Sequence, residues 1–96
     1  MAVGDVKSGL QSVNASAYLN IQPPGTEEWV VHNLYWGGQV ELYVSDGIND
    51  LKFDSDSSAG GRLAMVFHVR NGQYLRVKNM GASAILIGYD GIQTKA

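Results

Sequence analysis

Four glycine-centred dipeptides, Gly37-Gly38, Asp46-Gly47, Asn71-Gly72 and Asp90-Gly91, divide the chain into short runs in which apolar and polar residues alternate. A period of two puts successive side chains on opposite faces of a strand, while Asn-Gly and Asp-Gly supply the positive φ that a type I′ hairpin turn needs at both central positions. The combination predicts antiparallel strands joined by tight turns.

The runs can be followed along the chain. Ala17, Leu19 and Ile21 alternate with Tyr18, Asn20 and Gln22 until Pro23-Pro24-Gly25 stops the strand, because proline cannot donate to a ladder. Trp29 to Trp36 is dense in β-branched and aromatic residues, which predicts a buried strand that enters a hairpin at Gly37-Gly38. Gln39 to Ser45 carries Val40, Leu42 and Val44 on one face, and Asp46-Gly47 returns the chain into Ile48 to Asp54, with Leu51 and Phe53 inward. Leu63, Met65, Phe67 and Val69 alternate with Ala64, Val66, His68 and Arg70 and are expected to face the core. Tyr74 to Asn79 follows the Asn71-Gly72 reversal, and Ile85 to Tyr89 pairs with Ile92 to Thr94 around Asp90-Gly91. Asp54 to Gly61 is polar and irregular and is read as the connection between sheets. About eight short strands at this spacing predict an all-β sandwich, specifically a jelly roll, with an immunoglobulin-like sandwich as the alternative. Residues 1–12 show no sustained period and are read as an N-terminal arm that orders against a neighbour, and residues 13–96 as a single β-sandwich domain.

Composition narrows the function classes. A net charge of −2, from seven basic and nine acidic residues scattered among one another, offers no field for a phosphate backbone. Nucleic acid is therefore not an expected partner, and no apolar run is long enough for a membrane helix. With no cysteine, disulfides, thiolate metal sites and thiol nucleophiles are excluded. Met1 to Asp5 has neither the basic nor the apolar region of a signal peptide, so synthesis in a cytoplasm is expected, and the Asn14-Ala15-Ser16 sequon is read as coincidental.

Each candidate catalytic pattern in the chain is incomplete. Asp54-Ser55-Asp56-Ser57-Ser58 opens like a calcium loop, but Ala59 stands where that loop needs glycine and Met65 where it needs a bidentate glutamate. His32 and His68 lie in strands without the spacing of a zinc site, and Glu27-Glu28 are neighbours whose side chains diverge. No serine sits in a nucleophile motif, and the glycines are read as turn residues rather than as a phosphate cradle. The expectation is a non-enzymatic protein without metal or cofactor. The surplus of rings (Trp29, Tyr35, Trp36, Tyr43, Tyr74 and Tyr89) suits a protein interface, or a sugar-stacking groove lined by Tyr35, Trp36 and Tyr43. The interface candidates are Val3, Val6, Leu10, Tyr35, Trp36 and Tyr43.

Tyr18 to Asn33 (YLNIQPPGTEEWVVHN), Phe67-His68-Val69, and Ile87-Gly88-Tyr89-Asp90-Gly91 resemble small structural proteins encoded by tailed bacteriophages. The resemblance spans most of residues 17–95 and carries no active-site residues. It implies a virion component made in the host cytoplasm, with other capsid or tail proteins of the particle as partners and a homo-oligomeric state. A capsid decoration (cement) protein that binds a repeated lattice is the primary expectation, and a carbohydrate- or receptor-binding module of a tail or fibre is the alternative. A cysteine-free domain fits such a role, since many copies on a lattice gain avidity from individually weak contacts.

Overall fold

The computed structural model describes residues 3–96, and the first two residues of the expected arm lie outside the described residues. The described residues form nine strands: β1 (Val6–Val13), β2 (Tyr18–Ile21), β3 (Glu28–Trp36), β4 (Val40–Ser45), β5 (Asp50–Asp56), β6 (Gly60–Arg62), β7 (Phe67–Arg70), β8 (Tyr74–Asn79) and β9 (Ile85–Lys95). All pairings are antiparallel. Sheet A has the order β1-β9-β3-β6, with β7 also on the β6 side of β3; sheet B has the order β2-β8-β4-β5. The all-β sandwich is as the alternation predicts.

The pairs nest: β4 with β5, β3 with β6 and β7, β2 with β8, and β1 with β9. The chain is one long hairpin folded over so that successive pairs fall in alternating sheets. This explains why Gly37-Gly38 is no hairpin turn: β3 lies in sheet A and β4 in sheet B, so the dipeptide carries the chain between layers. Asp46-Gly47 does join paired strands; Gly47 has a φ of 92°, and Asp46 Oδ1 accepts from the Ile48 and Asn49 N–H groups to close the turn.

Asn71-Gly72 reverses the chain within a two-residue loop closed by Arg70 and Gln73, which exchange backbone hydrogen bonds of 2.9 and 3.2 Å. Neither central residue has positive φ, so the turn is not the expected type I′. A further correction concerns Asp90-Gly91, which is not a turn at all: β9 runs unbroken from Ile85 to Lys95 through the middle of sheet A. A Cβ on Gly91 would lie 2.0 Å from the Val30 carbonyl oxygen, so glycine is needed there for close backbone approach. His32 is the extra residue of the bulge opposite, between the Val31–Gly91 and Asn33–Asp90 pairs.

Inward residues meet as the period requires. Leu19, Ile21, Val31, Leu34, Trp36, Val40, Leu42, Val69, Leu75, Val77 and Ile87 form the buried centre. Each large aliphatic chain removed from water contributes about 1.5–3 kcal/mol. Three expected core residues are corrected. Leu51 and Phe53 are exposed on the edge strand β5, and Leu63 is 72% exposed. The regular run breaks because Ala64 takes a φ of 56°, held by its N–H on Asn33 Oδ1 and by the Met65 N–H on the His32 carbonyl. The strand starts only at Phe67; Met65 and Phe67 are half-buried against the core, and Val69 is fully buried.

The arm is also corrected, since residues 6–13 are an integral edge strand and the boundary placed at residue 12 falls inside it. Its polar-looking inward positions are filled by other means. Lys7 lies with Nζ 5.4 Å from the Trp29 ring centroid and 3.7 Å from Glu27, and Gly9 leaves room for the Tyr89 ring, which would meet a Cβ at 2.8 Å. At the opposite side of the sandwich Arg62 closes the gap between sheets. It donates to both Asp54 oxygens (2.8 and 3.2 Å) and lies 5.3 Å from the Trp36 ring centroid, while Trp36 Nε1 donates to Asp56. The Arg62 guanidinium holds the Asp54 carboxyl below the ordinary carboxylate range.

Candidate functional site

The two outer faces of the sandwich differ in kind. On sheet B, the register sets Tyr18 and Asn20 beside Lys78 and Arg76, and these beside Glu41 and Tyr43, with Lys52 and Asp50 beyond. The charges there are engaged with one another. Arg76 stacks on Tyr18, its guanidinium carbon 3.8 Å from the ring centroid, and bonds Asn20 and Asp50 at 2.9 and 2.8 Å. Lys52 reaches Glu41 at 3.1 Å, and the Tyr43 hydroxyl donates a short bond to the same carboxylate. That bond is the main reason the Tyr43 hydroxyl is pushed up to about 12 and the Glu41 carboxyl falls below its ordinary range. On this face Arg76, Asp50, Glu41 and Lys52 are paired with one another or with neighbouring polar groups, and Lys78 lies 5.4 Å from the Tyr18 ring centroid.

Sheet A presents something else. Its outward residues are Val6, Ser8, Leu10 and Ser12 on β1, Leu86, Gly88, Asp90 and Ile92 on β9, and Val30, Asn33 and Tyr35 on β3. Val6 is 71% exposed, Leu10 66%, Leu86 55% and Ile92 38%, in a row-by-row arrangement fixed by the ladder. The Tyr35 ring lies over Gly88, where a Cβ would meet it at 2.5 Å. The one carboxylate in the middle, Asp90, is tied down on both oxygens, accepting from Asn33 Nδ2 at 2.7 Å and from the Tyr35 hydroxyl at 3.0 Å. Burial, with Asp90 second, raises the Tyr35 hydroxyl above its ordinary value, so it remains a donor at neutral pH. The result is a flat face with scattered exposed aliphatic side chains and a pinned polar centre, suited to contact with another surface.

Three of the expected interface residues, Val6, Leu10 and Tyr35, share this face, and Val3 is exposed just before β1. Trp36 does not belong with them, because it is buried in the core against Arg62 and Asp56, and Tyr43 lies on the opposite face. The groove imagined from Tyr35, Trp36 and Tyr43 therefore does not form: its three rings occupy one outer face, the core and the other outer face. Sequence reasoning missed Leu86 and Ile92, whose signal was present in the alternation of Leu86, Gly88, Asp90 and Ile92 once Asp90-Gly91 is read as strand.

The catalytic candidates are dispersed. His32 Nδ1 bonds the Met65 carbonyl at 3.1 Å, while His68 is exposed on β7. Glu27 accepts from Trp29 Nε1, and Glu28 faces Lys95 at 3.8 Å. Asp54 and Asp56 point to Arg62 and Trp36, rather than converging on a cation. Among the described residues no group of three or more His, Asp or Glu side chains is placed to hold a metal, and no helix is long and apolar enough to cross a membrane. A cleft of about 200 Å³ lies where Glu28, Trp29, His68, Arg70, Gln73 and Thr94 meet, with mixed charge on its walls. No family model matches the chain, and no curated protein is detectably similar to it.

Proposed function

We propose that this protein is a non-enzymatic component of a phage particle, most simply a capsid decoration protein that lays the outer face of sheet A on a repeated lattice. The observation that carries the reading is the contrast between faces: sheet B closes its charges on itself, whereas sheet A leaves Val6, Leu10, Leu86 and Ile92 open to solvent. Each such side chain contributes when covered, and repetition of a weak contact over a lattice multiplies it. The nested strand order, β1-β9-β3 with β6 and β7 facing β2-β8-β4-β5, is compatible with a jelly-roll wind, a fold common in capsid proteins. The sequence resemblance to small phage structural proteins supplies the identity of the lattice in this reading.

The test uses particles assembled without the protein. Wild-type chain is expected to co-sediment with them, and Leu86→Asp, which replaces an exposed aliphatic side chain of the face with a charge, is expected to lose binding by roughly tenfold or more. Lys52→Ala on the other face is expected to bind as wild type. Equal binding by Leu86→Asp and wild type would overturn the assignment of the face, and no binding by wild type would overturn the function.

A further inference from the structure

We infer that β1 is the seam through which two copies of this chain associate, pairing antiparallel about a two-fold axis so that sheet A continues from one copy into the other. The inference rests on the reading of the protein as an assembly component and names the first contact in that assembly. It begins with the phase of the β1–β9 ladder. Gln93 N–H donates to the Asp5 carbonyl at 2.9 Å, and Gly4 N–H donates to the Gln93 carbonyl at 2.7 Å, so the position 5–93 pair is a hydrogen-bonded one. In an antiparallel ladder such pairs alternate. The backbone groups of Lys7, Gly9, Gln11 and Val13 therefore face β9, and those of Val6, Ser8, Leu10 and Ser12 face away from it along the free edge.

The other edges of the two sheets are blocked by familiar means. β2 has four residues and is followed by Pro23-Pro24. β5 carries Asp50, Lys52, Asp54 and Asp56 and a bulge at Phe53. The edge formed by β6 and β7 is split by Leu63 to Val66, with Ala64 in the left-handed region. Short strands, charges, prolines and bulges of this kind prevent edge-to-edge pairing. β1 is the least guarded of these edges: it runs for eight residues, holds no proline, pairs with β9 without a register shift, and its only charge, Lys7, is turned inward and already engaged by Trp29 and Glu27.

The edge is also complementary to itself. A two-fold axis at Ser8 brings outward-facing backbone groups together and sets Val6 of each copy across from Leu10 of the other, extending the exposed aliphatic rows of sheet A. Charge complementarity agrees, because Lys7 then lies across from Gly9 and Asp5 across from Gln11, and no like charges meet. A strongly charged partner strand would find no counter-charge along this edge.

Sedimentation velocity of the full chain from micromolar to millimolar concentration tests the seam. Wild type is expected to shift from monomer to dimer. Ser8→Pro removes an outward N–H and leaves every β1–β9 hydrogen bond in place, so association is expected to weaken by roughly tenfold or more with the melting temperature of the monomer little changed. Ser8→Lys, which keeps the backbone and puts two ammonium groups at the axis, is expected to do the same should the proline variant fold poorly. Hydrogen exchange is expected to slow with concentration at Val6, Ser8, Leu10 and Ser12 only. A wild-type chain that stays monomeric at millimolar concentration, or dimers indifferent to both substitutions, would overturn the inference. Dimers that fail to bind particles leave it standing and remove the capsid reading; a chain that binds particles as a monomer does the reverse.

Discussion

Gly91 and Gly72 both follow a turn-forming residue in the sequence, yet the structure assigns them opposite sensitivities to the same one-carbon addition. In Gly91→Ala the new Cβ would sit 2.0 Å from the Val30 carbonyl oxygen, where real Cβ contacts essentially never fall below 3.0 Å, so β9 and β3 must separate by at least the difference, 1.0 Å. Both partners are backbone in the middle of sheet A, and no rotamer change relieves the contact. Stretching two neighbouring ladder hydrogen bonds by that amount forfeits about 1 kcal/mol each, and the overpacking adds about 1–3 kcal/mol, for a total of about 3–5 kcal/mol. In Gly72→Ala the nearest atom, 2.5 Å away, is Nη1 of the exposed Arg70 side chain, which can swing aside. With no positive φ at Gly72, alanine also restricts the unfolded chain, and the net change is expected to lie within about 0.5 kcal/mol. Urea unfolding followed by tryptophan fluorescence measures both differences. In a domain of this size the larger one corresponds to a fall of more than about 12 °C in Tm. Equal losses in the two variants would refute the placement of Gly91 as a site of close strand approach.

The same melts check two further expectations. Ile87→Ala, at a fully buried position, is expected to lose about 2–5 kcal/mol, whereas Leu63→Ala, on the exposed Ala64 segment, is expected to stay within about 0.5 kcal/mol. Because the folded Tyr43 hydroxyl is pushed up to about 12, above its unfolded value of about 10, the stability it contributes is full below the unfolded value and is lost as pH rises through the folded one. Burial also raises the Tyr35 and Tyr89 hydroxyls, so tyrosinate absorbance is expected to show several late-titrating groups in the wild type, one of which titrates earlier in Glu41→Gln, and the variant's melting temperature is expected to fall less steeply across that alkaline window.

Strand positions were legible because half-buried strands announce themselves by alternation, as Val40 to Ser45 and Tyr74 to Asn79 do. The sheet each strand joins was not. A glycine pair that turns a chain into its neighbour looks the same as one that lifts it to the facing layer, and Gly37-Gly38 does the latter. Asp90-Gly91 misled for a related reason: glycine serves both where φ must be positive and where another backbone comes close, and only the fold reveals Val30 on the other side. β1 was missed because its pattern is inverted. Val6 and Leu10 point to solvent while Lys7 and Gly9 point inward, so the usual signal reads as noise. The candidate surface was half visible for the same reason, with Val6, Leu10 and Tyr35 named and Trp36 misplaced by counting rings without knowing which of them the core would claim.

The nested pairing has a kinetic consequence. Ser45 and Asp50 close a turn of a few residues, Val31 and Phe67 a longer excursion, Ile21 and Leu75 a longer one again, and Val13 and Ile85 bring together nearly the whole chain. Closure entropy rises with each step, so the β4–β5 hairpin is the natural nucleus and the β1–β9 pair the last to zip. Sheet A cannot be completed until residues 85–95 insert between β1 and β3, since β9 is the partner of both. Until then β1 has no neighbour on either side, and in a crowd of nascent copies its first available match is the β9 of another molecule. The topology that folds one chain into a sandwich is thus also a route to exchanged strands, with the outermost pair as the element exchanged.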